Sequence, residues 1–127
     1  MDWIIIIILV ILVVVAWFAW NYYSIRRAAH FIDNADFASR IHTSQVIDIR
    51  EATSFKAKHI MGARNLPASQ IDLSLSAIRK DKPVLLYAES RSTTLPRVIR
   101  TLKRAGFTDL YVLNDGFDYW TGKVKEG

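Results

Sequence analysis

The clearest pattern in the chain is an unbroken apolar run, Ile4 to Trp20, without a charged residue. At about 1.5 Å rise per residue, a helix from Trp3 to Tyr23 covers roughly 30 Å, the thickness of a bilayer's hydrocarbon core. Trp3 marks one end of the run and Trp17, Trp20, Tyr22 and Tyr23 the other, where amphipathic rings favour the headgroup region. The pattern predicts a transmembrane anchor helix over residues 1–25. A cleaved signal peptide is not expected, because Asp2 stands in place of a positive n-region and the far end is aromatic rather than small. No glycine pair at helix-packing spacing occurs in the run, and Ala16 and Ala19 are weak substitutes, so dimerisation through the membrane is not predicted.

Beyond the run the hydrophobic pattern breaks into short pieces. Residues 26–32 are expected to form a short juxtamembrane linker, free of Gly and Pro, that holds a domain of residues 33–127 close to the bilayer. Asp33 or Asn34 can cap a helix containing Phe37, Ala38 and Ile41; Val46 to Ile49 then predicts a buried strand and Ala52 to Lys58 a helix. Gly62 to Pro67 predicts a turn and a short extended piece, and Ile71, Leu73, Leu75 and Ile78 a helix. Val84 to Tyr87 is a short apolar run of the kind buried on both faces of a parallel sheet. Leu95, Val98, Ile99 and Leu102 recur at helical spacing, with Pro96 in the first turn and Gly106 as the stop. Leu110 to Leu113 and a last turn from Gly116 to Trp120 complete the pattern. Strands alternating with helices predict an α/β domain with a mainly parallel sheet flanked by helices, preceded by the transmembrane helix.

Charge adds an orientation. Lys and Arg outnumber Asp and Glu by 17 to 12, giving a formal net charge of +5, which suits either nucleic acid or a negatively charged membrane face. Nucleic acid is not expected, since no basic–aromatic interleaving or known motif accompanies the charge. Arg26, Arg27 and His30 follow the apolar run while Asp2 precedes it, so the positive-inside rule places the protein in the cell membrane as a single-pass chain, N-terminus outside and domain in the cytoplasm. The chain has no cysteine, which excludes disulfides and thiolate metal sites; no metal and no cofactor are expected.

The candidate chemistry sits between the Val84–Tyr87 strand and the helix beginning near Leu95. A loop of this kind gathers unpaired backbone N–H groups at a helix N-terminus and commonly binds anions or holds a nucleophile. Here it reads Ala88, Glu89, Ser90, Arg91, Ser92, Thr93, Thr94, and offers hydroxyls and a guanidinium but no strong nucleophile. Ser92, Thr93 and Thr94 are each plausible N-caps.

Three segments resemble the rhodanese-like domains. Ile47-Asp48-Ile49-Arg50-Glu51, Phe55 and His59-Ile60-Met61-Gly62-Ala63-Arg64-Asn65-Leu66-Pro67 are similar to that family's N-terminal signature. Gly106-Phe107, Leu110 to Leu113, Gly116-Phe117 and Trp120 are similar to its C-terminal signature, and Leu85-Leu86-Tyr87 leads into the position where active members carry a cysteine. The resemblance covers about Asp33 to Trp120. It implies the family's fold, with Asp48, Arg50, His59, Gly62, Pro67, Gly116 and Trp120 as signature positions. It also implies a vestigial active-site loop with no catalytic residue, because the position of the expected cysteine is Ala88 or, counting back from Gly106 over a segment one residue longer than usual, Glu89; the loop glycine falls on Arg91 or Ser92, and the paired glycines of the last signature read Asp115-Gly116.

Each singled-out side chain has a plainer reading beside the functional one. His59 could be a base or ligand, but is expected to bond backbone and fix a turn. Asp48 and Arg50 could reach a substrate, but are expected to form a structural pair or cap. Arg97, Arg100 and Arg104, at i, i+3 and i+7, are expected to form a solvated face, with contact to anionic lipid or an acidic protein as the functional reading. The expected function is a catalytically inactive binding or scaffolding module at the cytoplasmic membrane face. The alternatives are a sulfur carrier that uses a thiol supplied in trans, or a non-catalytic sensor holding a small anion in the loop.

The charged flank yields the first prediction. Protease added to intact cells is expected to leave an epitope at the C-terminus uncut, and to remove it only after lysis; cleavage before lysis would reverse the assigned topology.

Overall fold

The computed structural model describes residues 1–126, with the side chains of Ile25, Arg26 and Ala28 outside the description. The charge at Arg26 used to orient the chain therefore lies outside the described residues, as does Gly127.

Helix α1, Asp2–Ala28, is 27 residues long and is long and apolar enough to cross a membrane. Its apolar side chains from Ile4 to Val15 are all exposed, so the described residues of the domain do not cover this surface. At about 1.5 Å per residue α1 runs for roughly 40 Å, beyond the end of the apolar run. The sheet then follows at once: Ala29 is buried in the core and β1, His30–Ile32, pairs in parallel with Tyr111 to Leu113. Residues 30–32, expected in a linker, are thus an edge strand. Three residues are too few to show a period, and this strand is specified by its neighbour: Phe31 packs on one core and Ile32 on the other.

The remaining elements are α2 (Asn34–Arg40), β2 (Gln45–Asp48), α3 (Ala52–Ala57), β3 (His59–Ile60), β4 (Arg64–Asn65), β5 (Val84–Tyr87), α4 (Leu95–Arg104), β6 (Leu110–Leu113) and β7 (Val124–Lys125). Five strands form one parallel sheet in the order β1-β6-β5-β2-β4, and β3 and β7 form a separate antiparallel pair. The predicted helix over Ile71 to Ile78 is instead two 3₁₀ segments, Ala68–Leu73 and Leu75–Ala77. Ser69, Asp72, Ser74 and Ser76 favour local side-chain bonds over a helix interior, and the Ser74 hydroxyl indeed donates to the Gln70 carbonyl at 3.0 Å.

Strand β5 is central and buried along its whole length. Because successive side chains alternate faces, Val84 and Leu86 join the core under α4, with Ile47, Ile71, Ile99 and Val112. Leu85 and Tyr87 join the opposite core, with Phe37, Val46, Ile60 and Leu113. Full burial of a side chain such as Leu86 contributes about 2 kcal/mol. Two helix ends are locked by short-range bonds. The Asp33 carboxylate accepts the Asp36 N–H at 2.8 Å at the start of α2. At the end of α4, Gly106 N–H donates to the Lys103 carbonyl and Phe107 N–H to the Leu102 carbonyl, which completes the stop read from the sequence.

Tyr87 joins the two sheets, since its buried hydroxyl accepts the Ile60 N–H of β3 at 3.1 Å. Tyr87→Phe is expected to leave that amide unpaired and cost about 1–2 kcal/mol in urea unfolding. Faster hydrogen exchange at Ile60 should accompany the loss. An unchanged midpoint would show that water replaces the hydroxyl.

Candidate functional site

Strands β2 and β5 end level, with Asp48 opposite Tyr87, so the segments that follow them leave the sheet along the same edge. In open α/β sheets the carboxyl edge is where ligand crevices form. The 88–94 loop lies there. Ala88 is 3% exposed, and its carbonyl accepts the Phe117 N–H at 2.8 Å. The Glu89 carbonyl accepts the Ser92 N–H at 3.2 Å, which closes a turn. Ser90 is held from two sides: its hydroxyl donates to the Asp115 carbonyl at 2.8 Å, and its N–H donates to the Asp118 carboxylate at 3.3 Å. Of the three cap candidates, Thr94 occupies the cap position, but the Ser92 hydroxyl is the one that accepts the Leu95 N–H, at 3.2 Å. Ser92 Oγ and Thr94 Oγ1 lie 3.1 Å apart; Arg91 and Thr93 are exposed.

The loop is pressed against Gly116, which has φ +79°. A Cβ there would fall 2.6 Å from Ser90 Cα. The signature glycine thus has a geometric cause, in that it lets the turn after β6 touch the backbone of the loop after β5.

A cleft of about 450 Å³ opens in front of the loop, lined among others by Arg50, Glu51, Glu89, Thr94, Arg97 and Asp118. Three carboxylates face two guanidiniums, and both guanidiniums have internal partners. Arg97 donates to the Ala68 carbonyl at 2.8 Å, and Arg50 donates to the Asp48 carboxylate and to the Lys58 carbonyl, each at 2.7 Å. Two of the amides a cradle would need, those of Ser90 and Ser92, also have acceptors within the chain. Among the described residues no group of His, Asp and Glu side chains is arranged to hold a metal.

Behind the cleft lies a buried network. Asp48 is fully buried and accepts the Arg50 N–H at 2.8 Å and its Nε at 3.0 Å. Desolvation opposes the Arg50 charge, but the hydrogen bond and charge of Asp48 outweigh it and hold the guanidinium above its ordinary pKa. Burial, then the Asp48 charge, pushes the Tyr87 phenol well above its usual value. Asn65 Nδ2 donates to the carbonyls of Asp48 and Arg50, at 3.1 and 2.9 Å, and so fixes the path of the chain leaving β2. His59 is buried, donates from Nδ1 to the Phe55 carbonyl at 2.8 Å, and stacks on the Phe55 ring at 3.8 Å. Gly62 turns the chain between β3 and β4, Pro67 precedes the first 3₁₀ segment, and Trp120 meets Phe37 edge-on at 5.5 Å.

The arginine stripe of α4 is divided. Arg97 and Arg104 are exposed, although Arg97 also donates to the Ala68 carbonyl, while Arg100 is half-buried and hydrogen-bonds the Asn21 side chain of α1. The stripe is interrupted only at Arg100, because α1 extends past the apolar run and packs on α4. The signal for that contact was Asn21, an amide set among Trp20, Tyr22 and Tyr23. Asp118 was also missed, since a carboxylate two residues after a signature glycine has no distinguishing pattern of its own.

The class of protein follows from these features taken together: a parallel sheet with a strand-to-helix loop at its carboxyl edge, pressed on a signature glycine. The rhodanese-like domain model matches residues 33–123, and the chain belongs to that family. The protein YqhL of Bacillus subtilis is 39% identical over 100 residues, which is 79% of this chain and 79% of that one. A protein named thiosulfate sulfurtransferase GlpE, from Pseudomonas aeruginosa, is 28% identical over 81 residues, 64% of this chain and 73% of its own. Among solved structures, the BH2092 protein of Bacillus halodurans superposes with a TM-score of 0.69 at 23% identity, over 85% of this chain and 84% of that one. At that identity the likeness concerns the fold.

Gly116→Ala is expected to destabilise the protein by at least about 2 kcal/mol, combining positive-φ strain with displacement of the Ser90 backbone. Gly62→Ala is the control. Its φ is also positive, at +94°, but the added Cβ would meet only Ile41 at 3.7 Å, so it should cost about 1 kcal/mol. Equal losses in paired urea titrations would show that the Gly116–Ser90 contact carries no weight.

Proposed function

We propose that the chain is a non-catalytic rhodanese-like module, anchored in the membrane by α1 with its domain in the cytoplasm, where it binds or scaffolds a partner. The observation that carries this reading is Ala88. It directly follows Tyr87, at the position where the resemblance puts the family's nucleophilic cysteine, and the chain holds no cysteine elsewhere.

Transfer of a sulfane sulfur, the activity named for the Pseudomonas relative, needs a thiolate to take up the sulfur as a persulfide and then release it. A methyl side chain at Ala88 has no lone pair to offer. Glu89 cannot form a persulfide, and the neighbouring hydroxyls are hard nucleophiles whose alkoxides are inaccessible near neutral pH. The anion-sensor reading is weakened by the internal bonds of the Ser90 and Ser92 amides, and by Asp118, whose carboxylate lies against the loop where an anion would have to come. What remains is a loop held in one shape by the rest of the fold, which suits recognition better than turnover.

The full chain, purified in detergent, is expected to form no thiocyanate from thiosulfate and cyanide above a protein-free blank. Turnover above the blank that disappears on mutating the loop would end the non-catalytic reading. Ala88→Cys is expected to remain at the blank level, because Ala88 is buried and the Ser90 and Ser92 amides, two of those that would stabilise a bound anion, are already engaged.

A further inference from the structure

The face of α1 that meets α4 carries Trp20, Tyr23, Ser24 and Arg27, spaced i, i+3, i+4 and i+7 along one stripe of the helix. With Lys103 of α4 these residues line a cleft of about 340 Å³. Beside it the bond between Arg100 and Asn21 ties the two helices together. The rings contribute little to the protein's own core: Trp20 is 74% exposed and Tyr23 64%. The cations also lack local acidic partners. Helix α4 contains no acidic residue, and the one acidic residue of α1, Asp2, lies at its far end. Among the described residues the ion pairs are Arg40–Asp36, Arg50–Asp48 and Arg79–Asp81, none of which reaches the cleft.

Given the reading of α1 as a membrane span, on which this step rests, the stripe has a definite height. It follows directly on the apolar run and passes from ring to guanidinium over about 10 Å of helix axis. That distance is comparable to the headgroup layer on one side of a bilayer. We propose that the cleft binds the phosphate of an anionic phospholipid in the leaflet adjoining the domain. Arg27 and Lys103 flank the phosphate, while Trp20 and Tyr23 pack against the glycerol and the first methylenes of the acyl chains. A free phosphate would use the two cations but leave the rings uncovered. A zwitterionic headgroup would bring its own cation toward Arg27 and Lys103, so the preference is for net negative lipid. The site also fixes how the domain sits, because Lys103 belongs to the helix whose N-terminus carries the 88–94 loop.

The test uses the full chain. Flotation with phosphatidylcholine vesicles, with and without phosphatidylglycerol, comes first, and the protein is expected to float with both. Native mass spectrometry from detergent with equimolar phosphatidylglycerol and phosphatidylcholine should then show the anionic lipid retained with roughly ten-fold preference. Arg27→Gln with Lys103→Gln should bring that ratio near parity. Arg27→Lys with Lys103→Arg should keep it, and so should the charge-matched control Lys56→Gln with Lys58→Gln on the distant α3 segment. The Arg27 and Lys103 side chains are exposed, so thermal melting should not change. Failure to float would overturn the anchoring reading and this proposal with it. Flotation without lipid preference, or a preference that survives the double glutamine variant, would overturn the lipid site alone, as would displacement of the lipid by millimolar inorganic phosphate.

Discussion

A carboxylate with no exposed surface holds the carboxyl edge of this sheet together. Asp48 sits at the end of β2, opposite Tyr87 of β5, and accepts both the backbone and the guanidinium of Arg50. Burying two charges costs several kcal/mol per ion, and their attraction offsets that only when the geometry is good and other hydrogen bonds complete the set. Here the set is complete. Arg50 gains the Lys58 carbonyl and stands 4.1 Å over the Phe117 ring, while Asn65 ties the backbone on either side. Removing one member leaves the other charge buried without a partner, a loss of about 3–5 kcal/mol in comparable pairs. Through Arg50 and Phe117 the pair also sets the turn after β6, and that turn sets the loop after β5.

The loop is therefore not an independent flap. Ala88, Ser90 and Gly116 are joined by backbone contacts to the segment from Asp115 to Asp118, and Ser92 closes the entry to α4. Two of the amides that an anion would need, those of Ser90 and Ser92, are bonded within the protein. The Asp118 carboxylate and the Glu89 carbonyl occupy part of the space in front of these amides. A surface organised in this way presents side chains, among them Arg91 and Thr93, rather than a row of amides.

The family, and the absence of a cysteine after Tyr87, could be read from the chain because both rest on local identity: the residues of two signatures, and Ala88 after Tyr87. Strand β5 was legible to the residue because four apolar residues buried on both faces leave one reading. Strands β1, β3 and β7 were not, since two or three residues carry no period and take their conformation from His30–Tyr111 and His59–Lys125 type pairings far along the chain. The stretch from Ile71 to Ile78 has apolar spacing that fits a helix, but its serines and aspartate weaken a helix interior and it forms two 3₁₀ segments instead. Asp118 and Asn21 matter only through contacts with Ser90 and Arg100, and sequence separation hides such partners until the fold brings them together.

Strand β1 has a consequence for where this domain begins. The family match starts at residue 33, but Ala29 fills part of the core and His30 to Ile32 covers the outer edge of β6. A fragment cut at the family boundary would bare the N–H and C=O groups of a largely buried, apolar strand, a surface that recruits other strands and aggregates. The unit that folds is longer than the unit that is recognisable, and its first residues are contiguous with the helix that leads into it. A cut that removes Ala29 to Ile32 together with α1 therefore takes away part of what covers the sheet.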